Sequence, residues 1–476
     1  MIQSFDQLLK SHGYGFDGDH VVDELRKALA TTTGGIGGTA SGPLMLENLD
    51  ALMTEVLITE RHFKLFNFLR KVPSAQPYYE YNRHSGYGQR RGNLGFAQGG
   101  GPTGSVSAFV RNGIYTKFLG VQGGVTHQML TSGRMGGTFE DPQTRENRDR
   151  ALELFSRLER ELVFGMSSIK DSDGVEVNMD GLLTDMSTNA AANVIDLEGA
   201  PFSFDHMDDS AVNLVTQGKM PAVDTFTVFQ SAHVAAGINQ QYGDRNVVRH
   251  NKDGAVGSRF APGFKLEKYD TQFGTFNLDY SILLEEVEDS APVAAAHADA
   301  PDAPATVTGV GGAEATSKMV AGTYYYSVGA FNDSGESLVT TSEGVAVTSG
   351  QKATLTIARV TGAAGYRIYR GLESDGSDAK WIGRATQPTN GNITFVDLNG
   401  WRTANATTGA AENGLAIFLE PDPTDVCIAL LAPLLRMPLP QVRTTFPFYL
   451  LLYCVLVLKA RERIRIYKNC GVYTTP

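Results

Sequence analysis

Nine histidines are scattered along the chain, at His12, His20, His62, His84, His127, His206, His233, His250 and His297. Imidazoles hold a transition metal only as part of a convergent set, commonly two at i,i+4 on a helix or one beside cysteines. No two of these are four residues apart, and no HExxH or Cys/His cluster occurs, so no metal site is expected. The densest polar group is Asp205, His206, Asp208 and Asp209. Acid–base chemistry is one use for it, but carboxylates gathered at the positive end of a helix explain it better. Ser231 stands near His233 without a GxSxG elbow, and reads as the start of a helix rather than a nucleophile with its base. The glycine-rich stretches GGIGG (34–38) and GYGQRRG (86–92) lack the spacing of a phosphate-binding loop, and read as flexible linkage. Three Asn-x-Ser/Thr triplets begin at Asn332, Asn392 and Asn405. Without a secretion signal they read as chance matches. The expectation is no catalytic residue, no cofactor and no metal: a protein that is not an enzyme.

Composition bounds the rest. A chain of 476 residues, 42% hydrophobic and 20% charged, has ample material for a core and suggests two or three domains. A net charge of −11 argues against a basic surface that grips nucleic acid. Cys427, Cys454 and Cys470 are odd in number and widely spaced, which fits a reducing compartment better than a disulfide framework. The first residues lack a basic start followed by an apolar run, so no signal peptide is expected. The most apolar run, 446–458, contains Pro447 and falls short of the roughly 20 residues a membrane helix needs. It reads as a buried strand in a soluble, cytoplasmically made protein.

The strongest periodic element is Pro142–Phe164. Ala151, Leu154, Phe155, Leu158 and Leu162 recur at steps of three and four, giving one apolar stripe on a helix roughly 35 Å long. Asp149, Glu153, Arg157 and Glu161 follow at steps of four on the other face, with opposite charges meeting at Glu153–Arg157 and Arg157–Glu161. Asp141 and Pro142 suit its start, and Gly165 its stop. Before it, residues 1–30 hold two short amphipathic pieces, 31–42 are a flexible link, and 44–71 read as helical up to Pro73. Residues 78–104 then carry eight glycines, with Arg83, Arg90 and Arg91 among tyrosines. Strand-like flanks at 78–81 and 107–121 make this a long two-stranded excursion with a loose tip. After the helix come an expected helix at 205–217, a strand at 223–229, a helix at 233–242 and a polar loop at 243–258. Strand patterns resume at 266–286. An Ala/Pro/Asp-rich linker begins at Asp289. Beyond it, short alternating strands at 323–331, 353–357, 366–369 and 393–396 suggest an antiparallel sandwich. From Leu415 the earlier style of chain resumes, ending in two strands that read as a closing hairpin.

This order of parts resembles the Hong Kong 97-type major capsid protein of tailed bacteriophages. The carrying features are the flexible arm, the glycine-rich extended loop and the charged spine helix, then NVIDLEGA with FDHMDDSAVNL, and finally LLYCVLVLKARERIRIYKNCGVY. The resemblance covers 1–289 and 411–476. It implies an α+β capsid fold with peripheral and axial domains. Its parts would be an N-terminal arm at 1–43, a core at 44–289 with extended loop 75–106 and spine helix 142–164, and a return at 411–476. Residues 290–410 separately resemble an immunoglobulin-like or fibronectin type III-like module, through VAGTYYYSVGAFNDSGES and VTGAAGYRIYRG.

What the resemblance implies is a homo-oligomer of hexamers and pentamers in an icosahedral head shell. Such a shell encloses double-stranded DNA without sequence-specific binding, is assembled in the host cytoplasm without a membrane, and carries the inserted module outside. Portal, scaffold and possibly decoration proteins would be its partners. Arg83, Arg90, Arg91, Arg148, Arg157 and Arg160 are the candidates for inter-subunit contacts, the alternative being that each is simply solvated. No lysine lies between Lys71 and Lys117, so a lysine–asparagine cross-link from the loop is not expected, and Asn469 has no evident partner. No long charged coiled segment opens the chain, so a separate scaffold is expected. Two other classes compete: a bacterial surface adhesin with an immunoglobulin-like binding module, and an enzyme with an accessory carbohydrate-binding sandwich.

Overall fold

The structure is a computed structural model that describes residues 60–88, 95–101, 104, 106–136, 141–170, 175–216, 225–245, 266–284, 291–402, 413–420, 422, 424–441 and 444–473. The chain divides into two compact units, Met1–Leu57 with Gly133–Asp141, and Ile58–Ser132 with Pro142–Pro476. The expected N-terminal arm lies outside the described residues. The spine helix, the sheets around it and the sandwich all belong to the second unit.

The spine helix runs over Pro142–Phe164 as its periodicity demands. Leu154, Leu158, Leu162, Val163 and Phe164 are buried, packed with Leu182, Met186, Phe448, Leu450 and Leu452 in one large core. The stop is steric: Gly165 donates to the Glu161 carbonyl, and a Cβ there would run into the Met179 carbonyl. On the outer face Arg145 meets Asp149 at 3.1 Å, Arg150 meets Glu146 at 2.9 Å, and Arg157 meets Glu153 at 3.5 Å. Such exposed pairs contribute a few tenths of a kcal/mol each, so the buried stripe dominates.

One carboxylate breaks the charged-face pattern. Glu159 is buried, and its two oxygens accept the backbone N–H of Leu65 at 2.6 Å and of Phe66 at 2.8 Å. It thereby satisfies orphan donors at the start of the short helix Lys64–Phe68. That helix replaces most of the helical expectation for 60–71. It ends at Leu69, and Arg70–Pro73 leaves as a strand parallel to Val426–Pro438.

Two sheets flank the core. The first has the order Arg70–Pro73, Val426–Pro438, Thr445–Leu458, Lys117–Thr126. The apolar run of Thr445–Leu458 is its third strand. Its first half is alternately buried and half-exposed, and from Cys454 every residue is buried. Burial on both faces is why the run reads as continuously apolar. Among the described residues no helix is long and apolar enough to cross a membrane. The second sheet has the order Val194–Asp196, Arg465–Cys470, Gly414–Leu419, Thr225–Gln230, Thr275–Tyr280, Lys268–Asp270. Helices Phe204–Thr216 and Ala232–Arg245 contribute to its core with Met207, Ala211, Leu214, Val234 and Ile238.

The expected closing hairpin does not form. Thr445–Leu458 and Arg465–Cys470 belong to different sheets, joined by a corner. Lys459 and Ala460 both donate to the Asp425 carbonyl there. Arg461 grips Asp185 through two bonds of 2.6 and 3.0 Å, and Arg463 meets Asp425 at 2.9 Å. The charged KARER stretch is a set of anchors to separate elements, not a solvated turn.

The strands between residues 307 and 397 pair only with one another. One sheet is built on Gly322–Asn332, Gly365–Gly371 and Lys380–Thr386, with three short strands, Gly335–Glu336, Thr340–Thr341 and Val345–Val347, along Gly322–Asn332. The other has Gln351–Ile357 between Val307–Ala313 and Ile393–Asp397. Tyr326, Val328, Tyr366 and Ile368 of the first face Leu355, Ile357 and Ile393 of the second across a separate core. Arg370 is buried there against Asp397 at 2.7 Å and Asn399 at 2.8 Å, with the Tyr326 hydroxyl donating to the same carboxylate. Burial of these charges is tolerated because the guanidinium and the carboxylate are paired and hydrogen-bonded.

This sandwich is not a free bead on a string. Tyr369, Ala379 and Trp381, on the outer side of the larger sheet, belong to the core of the spine helix. Phe164 meets Trp381 and Trp401 edge-on, with ring centroids 5.7 and 5.8 Å away. Arg384 adds an ion pair to Glu161 at 3.2 Å. A cleft of about 310 Å³ lies at this junction, lined by Phe164, Leu183, Trp381, Phe395 and Trp401.

Candidate functional site

The glycine-rich excursion is a hairpin of Tyr78–Gly86 and Ala108–Tyr115, paired from Tyr78↔Tyr115 to Gly86↔Ala108. The expected second strand, 107–121, divides at Thr116, where the chain passes from this hairpin into Lys117–Thr126 of the larger sheet. Thr116 is the hinge point: both its N–H and its hydroxyl donate to the Pro77 carbonyl, at 2.8 and 2.6 Å. The base is anchored further by Tyr79, Tyr81 and Ile114 against the main core, and by the Tyr81 hydroxyl donating to the Leu458 carbonyl. At Gly113 the Tyr78 ring fills the space a Cβ would need.

Beyond the base the hairpin touches little. Tyr87 is 82% exposed, Phe96 60%, Val106 88% and Phe109 71%. His84 stacks on Phe109 with centroids 4.6 Å apart and meets Tyr87 edge-on at 4.7 Å. Nothing lies near the missing Cβ positions of Gly95, Gly99, Gly101 and Gly104. A two-stranded ribbon is marginal by itself in water, and apolar side chains grouped along one mark a surface that is covered elsewhere.

Of the six arginines, Arg83 on the first hairpin strand and Arg148, Arg157 and Arg160 on the spine helix lie within the described residues. Arg83 forms an ion pair with Glu462 of its own chain, which ties the hairpin to the corner after Leu458. Arg90 and Arg91 lie outside the described residues. Arg148 and Arg157 are exposed on the spine helix, Arg157 paired with Glu153, and Arg160 is half-buried.

The groups that invited a chemical reading each have described neighbours within the fold. The Ser203 N–H donates to His206 Nδ1 at 3.1 Å, a reciprocal cap at the start of Phe204–Thr216. Burial lowers the His206 pKa, with Asp209 and Asp205 opposing the shift. Asp208 accepts the Tyr269 hydroxyl at 2.9 Å. Ser231 Oγ accepts from the Leu415 N–H at 2.6 Å, and His233 Nε2 lies 3.0 Å from the Cys470 carbonyl. Cys427, Cys454 and Cys470 are buried free thiols. Among the described residues no group of three or more His, Cys, Asp or Glu is placed to hold a metal ion. Asn469, which the sequence left without a partner, is fully buried. It donates to Asp196 at 2.7 Å and accepts the Arg402 N–H at 3.1 Å.

Sequence reasoning missed Glu159 and the aromatic junction of Phe164, Trp381 and Trp401. Glu159 occupies a place in the charge pattern like any surface carboxylate, and only the three-dimensional neighbour, the start of Lys64–Phe68, distinguishes it. The two tryptophans, the only ones in the chain, were a signal that went unused.

Residues 102–291 match the family model described as SU10 major capsid protein. No curated protein sequence matches the chain. Among solved structures it is similar to the capsid of Myoviridae phage XM1, at 9% identity and a TM-score of 0.42 over 90% of this chain and 100% of that one. A Gordonia phage Cozz chain aligns at 10% identity and a TM-score of 0.41, covering 92% of this chain and 96% of that one. The capsid of cyanophage P-SCSP1u aligns at 9% identity and a TM-score of 0.39, covering 91% and 96%.

Proposed function

We infer that the chain is a major capsid protein, a self-assembling subunit of the head shell of a tailed phage. The observation that carries this is the match over 102–291, which takes in the second hairpin strand, the spine helix and the helices and strands after it. Many copies form the shell, and the chain's place is the virion. The hairpin is the element by which one copy lies over the next, because Tyr87, Phe96, Val106 and Phe109 along the excursion are exposed.

Finer features accompany the same reading. The copies group as hexamers and pentamers around a portal, guided by a separate scaffold and open to decoration proteins. Assembly takes place in the host cytoplasm. The shell encloses double-stranded DNA without a sequence-specific grip, which suits a net charge of −11. The 290–410 insert is an immunoglobulin-like module on the outer surface, and the role is structural rather than enzymatic. Arg148 and Arg157 are the exposed arginines best placed for neighbouring copies. No described feature favours an adhesin.

Deleting residues 86–101 tests the assignment of the hairpin. The deleted chain should keep the circular dichroism and melting behaviour of the parent yet form no shells. Normal shells from it would refute the assignment.

A further inference from the structure

The cleft where the sandwich meets the spine helix has a lining of two kinds. From the sandwich and its return come aromatic rings, Trp381, Phe395 and Trp401, with Phe164 of the spine helix meeting both indoles edge-on. From the core come polar groups. Thr184 and Ser187, three residues apart on one face of the helix Leu182–Asn189, bring two hydroxyls. Among the described residues neither hydroxyl has a hydrogen-bond partner. Lys468 also lines the cleft, its ammonium donating to the Gly400 carbonyl at 2.7 Å. Trp381 supplies one donor more. It is 8% exposed, and its indole N–H is buried with no partner among the described residues. A buried donor left unpaired costs stability until water or a ligand satisfies it.

We propose that this cleft binds a pyranose ring, one sugar unit of a glycan. A pyranose has a face of C–H groups that stacks on aromatic rings, and a rim of hydroxyls that both donate and accept. The lining matches both halves, with rings for the face and Thr184, Ser187, Lys468 and the Trp381 N–H for the rim. Other ligand classes match one half only. A wholly apolar ligand would strip water from the hydroxyls and the ammonium without replacing it. A small inorganic anion would leave the rings unused. The volume agrees, since about 310 Å³ lies at the lower end of small-molecule pockets and holds one ring rather than a long oligosaccharide. The site exists only because the insert docks on the core, each contributing part of the lining. It stands apart from the shell reading, although a shell of many copies would turn one weak site into an avid surface.

The test follows tryptophan emission of the full chain. Both of its tryptophans line the cleft, so the signal reports on the site without a label. The probes are the methyl pyranosides of glucose, galactose, mannose, N-acetylglucosamine and glucuronic acid, with sorbitol as the control that has the hydroxyls but no ring. At least one pyranoside should shift the emission saturably and protect it from acrylamide quenching, with a Kd of ~1 mM, the affinity that about a dozen non-hydrogen atoms reach. Sorbitol should leave the emission unchanged. Thr184→Val combined with Ser187→Ala should keep the melting behaviour of the parent and weaken the binding about tenfold. No saturable change with any pyranoside well above that concentration would overturn the proposal, and so would an equal response to sorbitol. Unchanged affinity in the double variant would overturn the role given to the two hydroxyls. The titration needs no particles, so its failure leaves the shell reading standing.

Discussion

Glu159 offers the sharpest test of how the spine helix governs its surroundings. Its carboxylate bridges two backbone N–H groups of another element, at 2.6 and 2.8 Å. In Glu159→Gln the amide oxygen can still accept one N–H, but the amide NH₂ then opposes the other. One charge-assisted bond is weakened to a neutral one and one is lost. With ~1–2 kcal/mol at stake locally, exchange of the Leu65 and Phe66 amide protons should accelerate by about 5–30-fold. Hydrogen exchange resolved to this segment is the right assay, because a long chain with several cores need not unfold in one step. Unchanged exchange at both amides would refute the assignment. The pH dependence adds a second constraint. Burial raises the Glu159 pKa, with the Phe66 and Leu65 N–H groups and Lys71 opposing. A carboxyl whose folded pKa lies above its unfolded value contributes stability that is full below the unfolded value, about 4.3, and is lost as pH rises through the folded value. Relative to Glu159→Gln, the parent chain should therefore gain stability on acidification. A relative loss would mean that the hydrogen bonds outweigh burial.

Three further outcomes are expected. Trp381→Ala should cost ~3–5 kcal/mol at the junction of sandwich and spine helix, seen as a red shift of the remaining Trp401 fluorescence and selective proteolysis of 291–402. Arg461→Ala and Asp185→Asn should each destabilise the chain by ~1–3 kcal/mol in denaturant unfolding, with a double-mutant coupling above ~1 kcal/mol for this half-buried bidentate pair. Iodoacetamide at pH 8 should leave the native chain unlabelled and modify all three cysteines once it is unfolded, since burial pushes Cys454 up to about 12 and raises Cys427 and Cys470 as well.

How much of this was legible beforehand differs by element. The spine helix was readable to its ends, since a stripe at helical spacing, Pro142 and Gly165 are all local signals. The sandwich was readable where strands alternate, as at Gly365–Gly371. It was not at Val307–Ala313, whose sequence VTGVGGA has poor strand propensity. The glycines are there for packing: a Cβ at Gly309 would collide with Val345, and one at Gly311 with the Ala346 carbonyl. The closing strands were each recognisable, but not their partners. Strand pattern specifies a face, whereas sheet membership was decided by Arg461 and Arg463 reaching carboxylates far off in sequence. The hairpin was visible as glycine-rich and its anchoring was not. Arg83 looked free until Glu462 was seen beside it. Arg90, Arg91 and the N-terminal arm lie outside the described residues.

The measurement that bears most directly on the central claim is particle size. The chain is expressed alone and with a candidate scaffold, then examined by light scattering and negative-stain microscopy. Closed shells or hexamer-like rings are the predicted result. A chain that stays monomeric in both conditions would contradict the claim that it builds a capsid.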